Sequence, residues 1–221
     1  MTELAITPSA AAYSPRSLKM YDWFVLGVSN RLMWRCPTPK LLELYQRHVT
    51  GRHMDVGVGT GYYLDKVRFP TPEPVIALVD LSPFSLEYAA RRIARYRPTT
   101  HRADVLAPFQ VNGGGFESVG LTYLLHCLPG DLASKAVVFD HVRPHLAPGA
   151  VVFGATILGA GVRHNLGGRA LMRAYNARGI MGNVRDAVEA LESALAERFA
   201  RHEVEVHGTV AMFTATEPRS T

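Results

Sequence analysis

Residues 55–61 read Asp-Val-Gly-Val-Gly-Thr-Gly, so three glycines stand at alternate positions in a loop that is expected to follow a strand. Glycine has no Cβ and adopts positive φ at little cost, which lets such a loop bend tightly and approach a ligand closely. An apolar run, 75–79, ends at Asp80, whose carboxylate is suited to bind a ribose diol beside that loop. The pattern predicts two strands whose ends hold a cofactor that contains a nucleoside.

The spacing of the glycines narrows the choice of cofactor. A dinucleotide loop has the pattern Gly-x-Gly-x-x-Gly, in which the third glycine allows close packing of helix and strand. Here that position is Tyr62, and the extra glycine comes one residue earlier, at Gly61. No Gly-Lys-Ser/Thr follows, which excludes a phosphate-binding loop of the nucleotide triphosphatase type. A nucleoside cofactor without phosphates is therefore favoured over a nicotinamide dinucleotide.

Apolar strand patterns alternate with helical patterns from residue 50 to about 200, which is typical of a parallel sheet covered by helices. Ser82-Pro83 is expected to cap one helix, Asp131 to open another that runs to Leu146, and Asn183 with Asp186 to cap the last. Two alternating runs around a short glycine turn predict a terminal antiparallel hairpin. The later strands and the hairpin are expected at 99–103, 118–124, 150–158, 202–206 and 209–215.

The chain divides into segments of different composition. Residues 1–12 are expected to form a flexible tail, 13–49 a helical cap rich in aromatic residues, and 50–221 the cofactor-binding domain. The aromatic residues of the cap either belong to the core or cover the open ends of the strands, where ligands bind in such sheets. Residues 159–182 contain six glycines around a short helical pattern and are expected to form a lid.

Composition excludes several classes of protein. The chain has 221 residues, of which 48% are hydrophobic and 19% charged, as in a globular domain. It has no apolar run near the ~20 residues of a membrane helix and no secretory signal pattern, and its two cysteines are too few for a disulfide framework. The net charge of +5 comes from scattered arginines, so nucleic acid is an unlikely partner. These features indicate a cytoplasmic protein, for which a homodimer is compatible with the sequence.

Three motifs in order, Asp55-x-Gly57-x-Gly59-x-Gly61, Val79-Asp80-Leu81-Ser82 and Ala103-Asp104-Val105, resemble the cofactor motifs of the class I S-adenosylmethionine-dependent methyltransferases, in particular their small-molecule branch. The resemblance covers residues ~50–215. It implies a Rossmann-like α/β fold with a mostly parallel seven-stranded sheet, helices on both faces and a terminal antiparallel hairpin.

The resemblance also implies a role for each motif residue. The backbone of the glycine loop would lie beside the methionine and ribose parts of S-adenosylmethionine, and Asp80 would accept hydrogen bonds from the ribose hydroxyls. Leu81 would flank the adenine, with Asp104 accepting from its exocyclic amine, and Asp55 would lie near the sulfonium or the amino group. The cofactor-binding set is Asp55, Gly57, Gly59, Thr60, Gly61, Asp80, Leu81, Ser82, Asp104 and Val105.

Catalytic help in this family usually follows the fourth strand, where the chain has Tyr123 and His126. His126 is either a general base or a structural histidine. His141 and His145 are four residues apart without a visible third ligand, so no metal is expected. The substrate-binding set is Tyr13, Tyr21, Trp23, Trp34, Arg163, Arg173 and Tyr175.

The sequence thus predicts a methyltransferase that acts on a small organic acceptor, such as a secondary metabolite. An RNA or protein methyltransferase is the alternative, and a nicotinamide-dependent oxidoreductase is disfavoured. The chain lacks the Asn/Asp-Pro-Pro-Tyr motif of the branch that methylates amino groups of nucleic acids and glutamine, which argues against those substrates.

Overall fold

A computed structural model describes residues 22–219, together with all side chains from residue 26 onward. Seven strands form one sheet in the order β3-β2-β1-β4-β5-β7-β6. Strands β1 to β5 run parallel, and β7 pairs antiparallel with both β5 and β6. Their bounds are β1 (Arg52–Val56), β2 (Val75–Asp80), β3 (Thr99–Arg102), β4 (Phe116–Thr122), β5 (Leu146–Ile157), β6 (Phe199–His207) and β7 (Val210–Pro218). The predicted mostly parallel sheet with a terminal hairpin is confirmed.

Helices cover both faces of the sheet, because the apolar side chains of the strands alternate between two cores. Met54, Val56 and Val79 face one core, whereas Ile76 and Leu78 face the other. The helices are α1 (Asp22–Met33, with the wider π-type geometry), α2 (Thr38–His48), α3 (Tyr62–Lys66), α4 (Pro83–Arg92), α5 (Leu132–Lys135), α6 (Val137–Val142), α7 (Leu166–Ala177) and α8 (Val188–Arg198). Single 3₁₀ turns lie at Ala94–Tyr96, Leu125–Cys127 and Arg143–His145.

Two of the expected helix boundaries follow the local sequence. Ser82 caps α4 by accepting a hydrogen bond from the amide of Ser85 at 3.3 Å, and Pro83 occupies the first turn. Asp131 likewise accepts from the amide of Ser134 at 3.0 Å. A short side chain that accepts a hydrogen bond at the start of a helix replaces a missing backbone partner, so these starts are determined by neighbouring residues.

Other expected boundaries are wrong. The single helix expected from Asp131 to Leu146 is divided into α5, α6 and a 3₁₀ turn, and Leu146 already belongs to β5. Pro144 lies in that turn, and a proline cannot donate the hydrogen bond that would continue a helix. Asn183 and Asp186 do not cap the last helix, since α8 begins at Val188.

The end of the fourth strand also differs from the prediction. Strand β4 ends at Thr122 rather than at residue 124, because Tyr123 has a φ of +62°. A left-handed backbone conformation cannot continue a strand. In the described part of the chain, no helix is both long and apolar enough to cross a membrane.

Candidate active site

Two clefts open at the carboxyl ends of the central strands. The first has an empty volume of about 650 Å³ and the second of about 410 Å³. The first is lined by Gly57, Gly59, Asp80, Leu81, Ala103, Asp104, Val105, Leu106, Tyr123, Leu124, Cys127, Leu128 and Pro129. The second is lined by Leu26, Tyr45, Gly57, Val58, Gly59, Thr60, Tyr62, Tyr63, Thr122 and Tyr123. Gly57, Gly59 and Tyr123 belong to both, so the two clefts meet at the glycine loop.

The three glycines of the loop all have positive φ, but they serve different contacts. A Cβ at Gly57 would lie 2.9 Å from Leu124, and one at Gly61 would lie 3.0 Å from Ala89 on α4. These two glycines therefore allow close packing of the loop against its neighbours. A Cβ at Gly59 would meet no protein atom within 4 Å. Gly59 thus faces open space in which a ligand can approach the backbone.

Asp80 lies at the end of β2 on the wall of the first cleft. Its Oδ1 accepts a hydrogen bond from the amide of Ser82 at 2.8 Å. Burial raises the pKa of this carboxyl to about 6, although amide donors from Ser82, Gly59, Val58 and Leu81 act in the opposite direction. Above that pH the group is a carboxylate, which suits a hydroxyl donor such as a ribose. Ser82 is buried and acts through the amide that it gives to Asp80.

The far end of the first cleft combines one carboxylate with an apolar wall. Asp104 accepts a hydrogen bond from the amide of Leu106 at 3.0 Å, which holds its side chain at the cleft. Leu81, Val105 and Leu128 supply apolar surface on the same cleft. A flat ring with an exocyclic amine would find both an acceptor and van der Waals contacts here.

Asp55 lies beneath the second cleft rather than in its lining. It is 3% exposed, and its Oδ1 accepts a hydrogen bond from the hydroxyl of Tyr45 at 3.1 Å. Burial raises the pKa of Asp55 to about 7, and the negative charge of Asp80 acts in the same direction. Tyr45 stacks on Tyr63 with ring centroids 4.8 Å apart. Tyr45 therefore separates Asp55 from the cleft.

Thr60 lies in the wall of the second cleft and is held by α4. Arg92 donates one hydrogen bond to the Thr60 carbonyl at 3.1 Å and another to its hydroxyl at 3.0 Å. A charged side chain of α4 thus holds the glycine loop from outside through two hydrogen bonds.

Tyr123 is placed between the two clefts by its unusual backbone. Its amide donates to the carbonyl of Ala155 at 2.7 Å, and its hydroxyl donates to Oδ1 of Asn30 at 2.9 Å. A non-glycine residue in the left-handed region costs of order 1–3 kcal/mol and persists where surrounding contacts enforce it. The two hydrogen bonds hold Tyr123 in this conformation at the junction of the clefts.

The structure does not support His126 as the general base. The residue is 3% exposed and does not line either cleft. Its Nδ1 faces the amide of Ile157 at 3.3 Å, so this nitrogen acts as an acceptor. Burial, together with the charge of Lys135, lowers the pKa of His126 to about 3. Its ring packs edge-on against Tyr123, which makes it a support for that residue.

The predicted substrate residues that the structure describes line neither cleft. Tyr13 and Tyr21 lie outside the described residues, as does the side chain of Trp23. Trp34 is 1% exposed and belongs to the core, which corrects its assignment to the acceptor site. The remaining three are on the segment 159–182 and are absent from the lining of both clefts: Arg163 and Arg173, which are exposed, and Tyr175, which is half-buried.

Residues 159–182 pack against the cap. Asn165 starts α7 and donates to the carbonyl of Leu32 at 2.7 Å, and a Cβ at Gly168 would lie 2.9 Å from the carbonyl of Met33.

His141 and His145, four residues apart, lie near two different carbonyls, those of Val105 and Phe109. Among the residues that the structure describes, no group of three His, Cys, Asp or Glu side chains lies close enough to bind a metal ion.

Sequence reasoning missed most of the second cleft. Tyr62 and Tyr63 directly follow Gly61, so their nearness to the glycine loop could have indicated them. Leu26 and Tyr45 come from α1 and α2, and only the packing of these helices over the sheet brings them to the site. No local motif marks either residue.

Comparison with known proteins agrees with this geometry. A family profile described as a methyltransferase domain matches residues 54–152. The chain is 39% identical over 205 residues to demethylluteothin O-methyltransferase of Streptomyces thioluteus, with 93% of this chain and 89% of that protein covered. It is 42% identical over 211 residues to a physcion biosynthesis cluster O-methyltransferase of Aspergillus chevalieri, with 95% of each covered.

A solved structure of DhpI with SAH shares the fold, with a TM-score of 0.67 and 18% identity over 96% of this chain and 97% of that one. The glycine loop, Asp80 and Asp104 lie within the residues that the methyltransferase profile matches. The chain therefore belongs to the class I S-adenosylmethionine-dependent methyltransferases, and its cofactor is S-adenosylmethionine.

Proposed function

We propose that the protein methylates a hydroxyl oxygen of a small aromatic acceptor, such as a phenolic secondary metabolite. The observation that carries this proposal is the meeting of two clefts at Gly57, Gly59 and Tyr123. One cleft has the polar and apolar groups that suit an adenosine, and the other is rich in tyrosine rings. The names of the two relatives, both O-methyltransferases, support oxygen as the nucleophile.

We assign the first cleft to the adenosine of the cofactor. Asp80 would accept hydrogen bonds from the ribose hydroxyls, and Asp104 from the exocyclic amine of the adenine. Leu81 and Val105 would contact the adenine ring. The open space beside Gly59 supports this fit, because a side chain there would occupy the ligand's position. When bound, S-adenosylmethionine supplies a methyl group that its sulfonium activates for in-line displacement.

We assign the second cleft to the acceptor. Tyr45, Tyr62 and Tyr63 offer aromatic surface to a flat ring, and Leu26 of the cap closes one side of the cleft. Holding two reactants in the correct geometry supplies much of the acceleration in a displacement reaction. The protein's contribution is therefore to position the acceptor's oxygen and to exclude water. The new C–O bond makes the oxygen acidic, and its proton is released to the solvent after methyl transfer.

The segment 159–182 completes the proposal as a lid over the acceptor side. Its helix α7 rests on α1, which contributes Leu26 to the second cleft. Arg163 and Arg173 are exposed on this segment, and a guanidinium there would bind a carboxylate on the acceptor. Replacing either by alanine is expected to raise the acceptor's KM without changing cofactor affinity.

We further propose that the protein acts in the cytoplasm on a free small molecule rather than on nucleic acid or at a membrane. Arginines of the described surface form dispersed pairs with neighbouring acids, such as Arg47 with Glu43 and Arg97 with Glu73. Such pairs dilute the positive potential that a nucleic acid backbone requires. A homodimer is compatible with this function.

The test is a screen of the purified protein with S-adenosylmethionine and three matched sets of acceptors: phenols, anilines and activated carbon acids. Mass spectrometry of the product and release of S-adenosylhomocysteine give the readouts, and total RNA and a protein lysate serve as the alternative substrates. We expect methyl ethers from phenols. Methylation of RNA or protein alone, or of anilines but no phenol, would reject the proposal.

A further inference from the structure

Tyr123 lines both clefts, and its hydroxyl group donates a hydrogen bond to the cap. Its positive φ and the edge-on ring of His126, with centroids 5.4 Å apart, fix the position of the phenol ring. The hydroxyl lies 2.9 Å from Oδ1 of Asn30 on α1. Asn30 in turn donates from Nδ2 to the hydroxyl of Thr38, at the start of α2, at 3.0 Å.

The direction of each hydrogen bond in this series follows from the last one, between Thr38 and Leu26. The Thr38 hydroxyl donates to the backbone carbonyl of Leu26, and a carbonyl can only accept. Because the proton of Thr38 is committed there, its oxygen must accept from Asn30. The NH₂ group of Asn30 therefore faces Thr38, and its oxygen faces Tyr123. The proton of Tyr123 is consequently committed to Asn30.

Burial prevents the reverse arrangement. Asn30 is 0% exposed and Thr38 is 8% exposed, so neither can turn to water for a replacement partner. A rotated Asn30 amide would place its oxygen against the Thr38 oxygen with no proton between them, and a buried acceptor pair of that kind is costly. The backbone of Asn30 is also fixed, since its carbonyl accepts from the amide of Cys36 at 2.8 Å.

We propose that Thr38 and Asn30 are positioning residues that make Tyr123 a hydrogen-bond acceptor toward the ligand, so that the enzyme selects acceptors with a neutral O–H group over their anions. This inference rests on the proposed function, which places the acceptor in the second cleft, whose lining includes Tyr123. An oxygen whose own proton is committed elsewhere can accept from an O–H, but it offers only lone pairs to the phenolate form of the reacting hydroxyl. The hydroxyl's lone pair is thereby left for the methyl group.

Other ionisable groups around Tyr123 act equally in every variant used below. His126 adjoins its ring, and Cys127 donates to its carbonyl from Sγ at 3.7 Å. Burial lowers the pKa of His126 and raises that of Cys127, so both are uncharged near neutral pH. The second cleft adds Tyr45, with Asp55 behind it. Comparing variants at Tyr123 and Thr38 therefore isolates the polarity of one hydroxyl.

The test uses 4-nitrophenol, whose neutral and anionic forms differ in absorbance, bound to protein saturated with S-adenosylhomocysteine. We expect the bound probe to ionise about one pH unit higher than the free probe, which is about a tenfold preference for the neutral form and the scale of one hydrogen bond. Thr38→Ser should keep the shift, because serine preserves both hydrogen bonds. Thr38→Val frees the amide of Asn30 to rotate and should remove or reverse the shift, and Tyr123→Phe should abolish it.

A wild-type protein that binds the anion as well as the neutral probe, or that does not bind the probe at all, would overturn the inference. So would equal shifts in Thr38→Ser and Thr38→Val. If Thr38→Val does not fold, the comparison of wild type with Tyr123→Phe still decides the question. Calorimetry with S-adenosylhomocysteine distinguishes failure of the proposed function from failure of this inference. No binding by the wild type would reject the proposed function. Normal binding without a probe shift rejects only the role of Thr38 and Asn30.

Discussion

Replacing Lys135 by methionine is expected to destabilise the fold strongly. Lys135 Nζ lies 2.6 Å from Oδ2 of Asp186 and 3.0 Å from the carbonyl of Gly182, and the side chains of both charged residues are 0% exposed. The variant would leave the Asp186 carboxylate buried without its cation. Removing one partner of a buried pair typically costs about 3–5 kcal/mol, because an uncompensated charge remains. At about 2–4 °C per kcal/mol for a chain of this size, the melting temperature should fall by about 6–20 °C.

The loss of stability in Lys135→Met should depend on pH in a defined direction. Burial raises the pKa of Asp186 even with Lys135 present, and without the cation this pKa would rise further. A carboxyl whose folded pKa lies above its unfolded value destabilises the fold as pH rises from the unfolded value through the folded one. The penalty in Lys135→Met should therefore shrink as the pH is lowered toward the ordinary range of an aspartate.

Urea and thermal denaturation of two further variants make this experiment decisive. The double variant Lys135→Met/Asp186→Leu removes both charges and should be within about 1–2 kcal/mol of the wild type. Arg47→Met removes one partner of a 2.8 Å pair whose side chains are 64% and 66% exposed, and it should cost less than about 1 kcal/mol. The reasoning fails if Lys135→Met costs no more than Arg47→Met, or if the double variant is less stable than the single one.

Four further outcomes are expected. Asp80→Asn should weaken S-adenosylhomocysteine binding by about 1.5–3 kcal/mol, which is the scale of a hydrogen bond to a charged group. Calorimetry measures this, and an unchanged Kd would show that Asp80 does not bind the ribose. The pKa of Asp80 is raised to about 6, so the affinity of the wild type for S-adenosylhomocysteine should fall as the pH drops from 7 to 5. Asp80→Asn should show no such fall, and parallel pH curves for the two proteins would contradict this. Gly61→Ala and Gly59→Ala should each lose about 1–2 kcal/mol of stability from positive φ, and Gly61→Ala should lose more because its Cβ would also press on Ala89. Only Gly59→Ala is expected to weaken cofactor binding directly, since its Cβ would enter the open space of the cleft; denaturation and calorimetry separate the two effects. His126→Asn should leave any rate change between pH 6 and 8 in place, since the pKa of His126 is lowered to about 3; loss of that change would restore it as a base.

Local sequence predicted those parts of the fold whose partners are close along the chain. Ser82 and Pro83 start α4 as expected, because the capped amide is only three residues away. Asn183 and Asp186 carry a similar signal, but both side chains have buried partners far away in sequence: the carbonyl of Ile157 and the amine of Lys135. A tertiary contact of that strength overrides a local propensity, and the sequence contains no sign of it.

In the candidate site, too, residues with partners near in sequence were predictable, and residues with distant partners were not. Asp80 and Asp104 were predictable from local sequence: Asp80 ends β2, Asp104 follows β3 by two residues, and each accepts a hydrogen bond from an amide two residues later. The polarity of Tyr123 depends on Asn30, 93 residues earlier, and on the left-handed backbone that ends β4. His126 has the residue type and position of a base, but burial changes its chemistry, and burial is a property of the packed structure.

The helices α1 and α2 contribute Leu26, Asn30, Thr38 and Tyr45 to the second cleft or to its hydrogen bonds, while the first cleft is built entirely from residues 57–129. Residues 22–49 thus line the acceptor cleft without lining the methyl-donor cleft, whereas the other residues of the acceptor cleft lie between 57 and 123. A chimera that exchanges only residues 22–49 with those of a relative is expected to shift its acceptor range toward that of the relative while its S-adenosylhomocysteine affinity stays constant. Substrate scope in such enzymes can then be engineered within fewer than thirty codons.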